Sequence, residues 1–304
     1  MRCLPLFAFV FCVVTSHAQS LTIGTYNLRY ANAGDSARGN GWGQRLPAIA
    51  SLIQFNDWDI FGTQEVKHNQ IEDLKQALPG YGYTGVGRDD GKEAGEYSAV
   101  WYKKDKFNLL QSHTFWLSTD TTKPNTAWDA ALPRICSWGK FQEINTGFTF
   151  YFFNLHMDHI GVVARRESAK LVLQKIKELK LKIPVILTGD FNVDQTNESY
   201  TLINTSGVLR DAYELSPIKL ATNGTFNNFS TVERTESRID HIFLSKDFTA
   251  KRYAILTNMY WSTPVEADSI YAKPNELKAL PRLPSDHYPV MVKADYTIAA
   301  QKRK

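Results

Sequence analysis

The chain is predicted to fold as an α/β protein in four layers, two β-sheets packed face to face with helices on the outside. Helix-spaced and strand-spaced apolar patterns alternate over the first quarter of the sequence, a block of consecutive strand patterns interrupts them, and the alternation then resumes. Two α/β halves, each holding neighbouring strands, bury their apolar faces by pairing sheet on sheet. A single doubly wound sheet is the competing arrangement.

Residues 21–27 read as a strand ending on Asn27. Between Arg45 and Phe55, Leu46, Ile49, Leu52 and Ile53 recur at helical spacing. Residues 59–65 form the next strand, ending on Gln64-Glu65, and Asn69 to Leu78 a helix with Ile71, Leu74 and Leu78 on one face. Pro79-Gly80 stops it. The segments 98–102, 107–117, 135–144 and 148–155 read as neighbouring strands, some with clear apolar alternation. The spacing then predicts a long helix over 162–179, a strand over 184–187, a short helix over 200–204, and strands over 239–244, around 254–258 and over 290–296.

Residues 1–18 are read as a removable secretory leader. Arg2 supplies a basic head, Leu4 to Val14 an apolar stretch too short to span a bilayer, and Ser16-His17-Ala18 a small-x-small ending. A secreted or periplasmic location is therefore expected. The rest, residues 19–304, is read as one domain, because no Pro/Ser-rich linker, repeat or low-complexity tract divides it. Cys3 and Cys12 leave with the leader, so Cys136 has no partner for an internal disulfide and reads as a small buried hydrophobe. Lys and Arg total 35 against 31 Asp and Glu, too even a balance for a dedicated nucleic-acid binder with a basic stripe. A monomer is expected, and no later segment is apolar for long enough to cross a membrane.

The residues that carry chemistry fall at strand ends, where rigid backbone meets open loops. Glu65 is a hard oxygen ligand suited to Mg²⁺ or Mn²⁺, with Asn27 and Asp286 as further members of the metal shell. In Gly189-Asp190-Phe191-Asn192, an extended segment would turn Asp190 and Asn192 the same way and Phe191 into the core. Asp190 can then hold and deprotonate a water while Asn192 donates to a phosphoryl oxygen. His287 beside Asp286 can neutralise charge gathering on phosphorus, with Asp240 as the carboxylate behind its ring. His156 closes a long apolar strand and offers a second phosphate donor. The pattern His156-Met157-Asp158-His159 also admits zinc, but no cysteine accompanies it and the other candidate ligands are oxygens. Asp158 and His159 are expected to shape the substrate pocket or to stand one layer behind it, with a purely structural, hydrogen-bonded His159 as the alternative. Arg88 either forks onto a phosphate or forms a structural ion pair, and Trp42, in a glycine-rich segment, is either a stacking wall over the site or a loop anchor.

Thr25-Tyr26-Asn27, Gln64-Glu65, Asn154-Leu155-His156, Gly189-Asp190-Phe191-Asn192, Arg238-Ile239-Asp240-His241-Ile242-Phe243 and Ser285-Asp286-His287-Tyr288-Pro289-Val290 together resemble, in order, the endonuclease/exonuclease/phosphatase superfamily. The resemblance implies a DNase I-like four-layer sandwich and hydrolysis of phosphate esters with a divalent metal. It also implies Glu65 as the main ligand with Asn27 and Asp286 near it, Asp190 aligning the water, Asn192 on the phosphate, and His287 oriented by Asp240. Gly87-Arg88-Asp89-Asp90-Gly91 and Gly95-Glu96-Tyr97-Ser98-Ala99 look like a secreted subgroup found in Bacteroidetes. The chain lacks the paired cysteines of secreted DNases and the hydrophobic hairpin of sphingomyelinases. The expected substrate is thus a small phosphorylated molecule (a nucleotide, a sugar or inositol phosphate, or a phospholipid headgroup). Nucleic-acid cleavage is the alternative, and a binding module without catalysis a third reading.

Overall fold

Alternation along the strands sorts the apolar side chains into three cores. The computed structural model describes residues 19–179, 183–262 and 279–296; the predicted leader over residues 1–18 lies outside them. The first half of the chain contains β1 (Gln19–Asn27), α1 (Ala33–Ala37), α2 (Trp42–Phe55), β2 (Ile60–Val66), α3 (His68–Ala77), β3 (Tyr81–Thr84), β4 (Tyr97–Lys103), β5 (Phe107–Trp116), β6 (Ile135–Glu143) and β7 (Thr149–His156). There follow α4 (Val162–Glu178), β8 (Val185–Asp190), α5 (Glu198–Asn204), β9 (Arg210–Asp211), α6 (Ala212–Leu215), β10 (Ile218–Leu220), β11 (Asp240–Leu244), β12 (Phe248–Ile255), β13 (Tyr260–Trp261), β14 (Pro281–Arg282) and β15 (Val290–Tyr296).

One mixed sheet runs β10-β12-β15-β1-β2-β4-β3 and the other β5-β6-β7-β8-β11-β9. In β7, Phe150 and Phe152 face the core between the sheets, while Tyr151, Phe153 and Leu155 face the layer of α4 and α5. On the far side, Ile49, Ile53, Ile71 and Leu74 of α2 and α3 cover Tyr26, Phe61 and Trp101. This is the predicted four-layer sandwich rather than a single doubly wound sheet.

The predicted elements are present within a few residues, with one misplacement. The strand expected around 254–258 is β12, which ends at Ile255. A bulge between Ala250 and Arg252 breaks its alternation and hides the period from the sequence. The two-residue strands β9, β13 and β14 and the short α1 and α6 carry too few residues to show a period.

Strand register brings the polar residues together. β7 and β8 run parallel with His156 opposite Asp190, and β8 and β11 run antiparallel with Asp240 opposite Asp190. On the other sheet Asn27 pairs with Gln64, one residue before Glu65. Below this rim the sheets are joined by buried amides. Gln64 Nε2 donates to Asn154 Oδ1 at 2.6 Å and to Thr25 Oγ1 at 3.0 Å, and Asn154 Nδ2 donates to the carbonyls of Thr63 at 2.9 Å and Ala99 at 3.0 Å. Gly62 makes room for this crossing, since a Cβ there would overlap the Asn154 carboxamide and Thr188.

β11 is held at its outer edge by Asp211, which accepts from Arg238 at 2.8 Å and Tyr200 at 2.9 Å. Burial pushes its carboxyl up, but His241 and Arg238 overcome this and set it at about 2. A depressed carboxylate stabilises the fold above its unfolded value near 4, and the contribution disappears as pH falls toward 2, an effect on the order of 2 kcal/mol. In urea titrations from pH 6 to pH 2.5, Asp211→Asn should be less stable than wild type at pH 6 and lose less of its remaining stability below pH 4. Parallel curves would show that Asp211 is not the linked group.

Candidate active site

Seven polar side chains from both sheets meet at the rim formed by these strand ends. Glu65 stands where the β2–β4 pairing is interrupted by a bulge between Thr63 and Val66, and its φ of 65° turns its carboxylate out of the sheet. Of the seven non-glycine residues with positive φ among those described, Arg29, Glu65, Asn192, Asn228 and Phe229 line one cleft, so the strained backbone is concentrated there. The cleft measures about 1230 Å³.

Asp190, the last residue of β8, lies at its centre. Asn27 Nδ2 donates to Asp190 Oδ2 at 2.9 Å and to Glu65 Oε1 at 3.0 Å, and the Asn192 N–H donates to Asp190 Oδ1 at 2.9 Å. His156 Nε2 is 3.5 Å and His287 Nε2 3.8 Å from Asp190 Oδ2. His287 Nδ1 donates to Asp240 Oδ2 at 2.8 Å. Asp286 sits beside Arg29, whose Nε is 3.6 Å from its Oδ2. The segment carrying Asp286 and His287 is sewn down by the N–H groups of Asn227 and Asn228 on the Asp286 carbonyl and by Tyr288 N on Thr225 O. Thr225 Oγ1 in turn accepts from the N–H of Asp240 at 3.1 Å.

Burial and crowding set the charge states. Desolvation, reinforced by Asp240, pushes the Asp190 carboxyl up to about 7. Desolvation also raises Asp286, to about 6, with Glu65 adding to the effect. Burial would depress His287, but Asp240 and Asp190 outweigh it and hold the ring well above its ordinary value, so it is an imidazolium that donates. Burial and the nearby Arg134 and Arg88 depress His156 well below the ordinary value, leaving a neutral ring.

The carboxylates fit a divalent cation. Glu65, Asp190 and His287 each offer an atom within 4.8 Å of the others. His287 is committed to Asp240 and charged, so the donors available to a hard ion are the oxygens of Glu65, Asp190 and Asp286, whose mutual repulsion a cation would relieve. Asn27 is fully buried and presents its amide nitrogen to Glu65 and Asp190, while its Oδ1 takes the Arg29 N–H at 3.0 Å. In this arrangement it clamps the two carboxylates together rather than offering them a third oxygen.

Other expectations are corrected. Trp42 is not a wall of the cleft. It begins α2, is 7% exposed, packs into the outer core and donates Nε1 to Asp73 at 2.8 Å, because the α2 stripe turns inward at that position. Asp158 does not reach the cleft; its carboxylate is occupied by the N–H groups of Ala131, Leu132, Ile160 and Gly161 and by Arg134. Asn192 lines the cleft with Phe191 buried beneath, but by a left-handed turn at φ 51° rather than by an extended strand. Arg88 forms the structural ion pair, forking onto Glu96 at 2.7 and 3.1 Å, and also lines the cleft. Arg29, Tyr30, Lys67, Glu96 and Arg134 also line it. The sequence signals for them are the positions of Arg29 and Lys67, each two residues past a site residue, and the Gly95-Glu96-Tyr97-Ser98-Ala99 segment that contains Glu96. Cys136 is free and buried.

A model of the endonuclease/exonuclease/phosphatase family matches residues 24–287, which spans every one of these positions. The chain belongs to that family. Members of the family hydrolyse their substrates and generally depend on a divalent metal ion. A mannosyl-6-phosphatase of Bacteroides thetaiotaomicron is 55% identical, over 90% of this chain and 99% of that one, with a TM-score of 0.85. Another family protein from the same organism is 54% identical over 93% and 100% of the two chains, with a TM-score of 0.87. Among curated relatives, the CCR4-Not 3'-5'-exoribonuclease subunit Ccr4 of Saccharomyces cerevisiae is 26% identical over 55% of this chain but only 24% of its own length.

For a family site of this kind, adding Mg²⁺ or Mn²⁺ at a hundredfold excess over its Kd should raise the midpoint of thermal unfolding by roughly 5 °C. Glu65→Ala should remove that shift. An unchanged midpoint at all concentrations in the wild type would show that no such ion binds the folded chain.

Proposed function

We propose that the chain is a Mg²⁺- or Mn²⁺-dependent phosphatase or phosphodiesterase that acts on a small phosphorylated molecule outside the cytoplasm. The observation that carries the reading is the convergence of Asp190, Asn27, Glu65, Asp240 and His287 within hydrogen-bond or ion-pair reach on one rim. Glu65 and Asp286 would hold the ion, which supplies positive charge to a phosphoryl oxygen. Asp190, fixed from two sides by Asn27 and Asn192, accepts the proton of the attacking water. The His287 imidazolium, its orientation set by Asp240, and one amide hydrogen of Asn192 face the charge that develops on the phosphoryl group. The other amide hydrogen of Asn192 is held by the Met157 carbonyl at 3.0 Å, which fixes its direction. His156, neutral and beside Asp190, is a further donor to the same group.

A small substrate is supported by the charge of the walls. Six arginine and lysine side chains (Arg29, Arg38, Lys67, Arg88, Arg134 and Arg282) and the His287 imidazolium line the cleft against six acidic side chains, a mixed lining and not the basic trough that several backbone phosphates need. Three further arginines are committed away from the cleft. Arg45 is fully buried among backbone carbonyls, Arg165 donates to the Asp158 carbonyl and Arg166 pairs with Glu167. The similarity to a mannosyl-6-phosphatase supports the phosphatase half of the reading.

Asp190→Asn and His287→Ala should each lower kcat by at least about 10³-fold with the circular dichroism spectrum unchanged. The assay is phosphate release from p-nitrophenyl phosphate, nucleotides and sugar phosphates with Mg²⁺ or Mn²⁺, run beside bis-p-nitrophenyl phosphate and plasmid DNA. Full activity of His287→Ala would remove that residue from the reaction, and turnover of DNA alone would replace this reading with a nuclease.

A further inference from the structure

One wall of the cleft is built by residues that play no part in holding the attacking water. Arg88 and Arg134 are 8% and 5% exposed, yet both line the cleft. The Arg88 guanidinium forks onto both oxygens of Glu96, and its backbone carbonyl accepts the indole N–H of Trp116 at 2.8 Å, which fixes it from behind. Arg134 is held by Asp158 at 3.4 Å and lies 2.8 Å from His159 Nδ1. A guanidinium can only donate, so Nδ1 of His159 accepts and the ring hydrogen is carried by Nε2. His159 is exposed and lines the same wall. Arg88 Nε and Arg134 NH1 are buried without a hydrogen-bond partner.

The chemistry of this wall selects its occupant. It sets donors on Arg88, Arg134 and His159 beside an acceptor carboxylate on Glu96. A second phosphate would only accept, and it would meet guanidiniums already paired with Glu96 and Asp158, with no acceptor role left for the Glu96 carboxylate to play. An apolar group would leave charged groups desolvated and unpaired. A hydroxyl both donates and accepts, and several hydroxyls on one ring or chain match a wall that alternates the two roles. The arginines are already locked by their partners, so little side-chain freedom is lost on binding.

We propose that Arg88, Glu96, Arg134 and His159 form the subsite that recognises the hydroxyl groups of the leaving alcohol, and that the substrate is a phosphomonoester of a sugar or other polyol. The inference rests on the phosphatase reading above and narrows its substrate. These four are specificity residues, not members of the reacting cluster.

The test compares kcat/KM for a hexose 6-phosphate with that for p-nitrophenyl phosphate, whose leaving group has no ring hydroxyls. The variants are His159→Ala, at an exposed position that does not endanger the fold, and Arg134→Lys. Each should lower the hexose phosphate value about 10- to 100-fold further than the aryl phosphate value, mainly through KM. Deoxy-hexose 6-phosphates should be turned over at least about tenfold more slowly by wild type, and for one position His159→Ala should no longer distinguish the deoxy sugar from its parent. Parallel losses on both substrates, or equal use of every deoxy sugar by wild type, would overturn the subsite while leaving the phosphatase intact. A wild type that releases phosphate from neither substrate would overturn the phosphatase reading and this inference with it.

Discussion

The buried amide crossing between Gln64 and Asn154 is the contact on which the site depends. Most of the interface between the two sheets is apolar, with further polar crossings from Asn27 to Asp190 and from Tyr296 to Glu143, and apolar contact is non-directional, so by itself it would tolerate one sheet sliding over the other. The 2.6 Å bond from Gln64 to Asn154, with the Asn154 nitrogen donating to carbonyls of β2 and β4, does not tolerate it. A shift would leave several buried polar groups unpaired, each costing on the order of 1–3 kcal/mol. Gln64 immediately precedes Glu65, and Asn154 lies two residues before His156 on the same face of β7. The bond that fixes the sheets therefore also fixes the distance between the two halves of the cleft. Gly62 permits it by leaving the space that the Asn154 carboxamide fills.

Above that crossing the sequence gathers like charges that would separate in water. Glu65, Asp190, Asp240 and Asp286 share one rim, and burial drives Asp190 and Asp286 toward neutrality. The fold counters this with directed donors. Asn27 spans two of the carboxylates, the Asn192 N–H faces Asp190, and His287 is held as a cation by Asp240. Arg29 lies against Asp286 and Asp35. Each donor comes from a segment that is itself pinned, so the charges are placed by the backbone and not by the mobility of long side chains.

The long, periodic elements and the polar residues at their ends were legible because strand ends are where a repeat of two stops and chemistry can begin. Asn27, Glu65, His156, Asp190 and Asp240 could be read as one rim from that fact alone. The sequence left Asp158 and Trp42 open between a ligand-facing and a structural role because their side chains resemble those that recognise ligands, and the structure shows the structural role for both. A carboxylate that accepts four backbone N–H groups has the same sequence signature as one that faces solvent. An aromatic ring at the first turn of a helix can face either way until the neighbouring helix is placed. Glu96 stands in the Gly95-Glu96-Tyr97-Ser98-Ala99 segment, but its role and that of Arg134 depend on loops that meet only in three dimensions.

The distribution of positive charge separates two functions that the same fold supports. A chain that tracks nucleic acid needs cations that remain free until a phosphate arrives, since the release of condensed counterions drives that binding. Here four of the five cleft arginines are already paired with carboxylates. Arg88 is forked on Glu96, Arg134 lies between Asp158 and His159, Arg29 lies among Asp35, Glu65 and Asp286, and Arg38 bonds Asp35. A strand of phosphates would have to compete with those carboxylates at four of the cleft cations. Under the proposed reading, a single phosphoryl group at Asp190 would meet a cluster of carboxylates that a cation could bridge. The remainder of such a substrate lies against walls of mixed sign, where hydrogen bonding rather than net charge decides what fits.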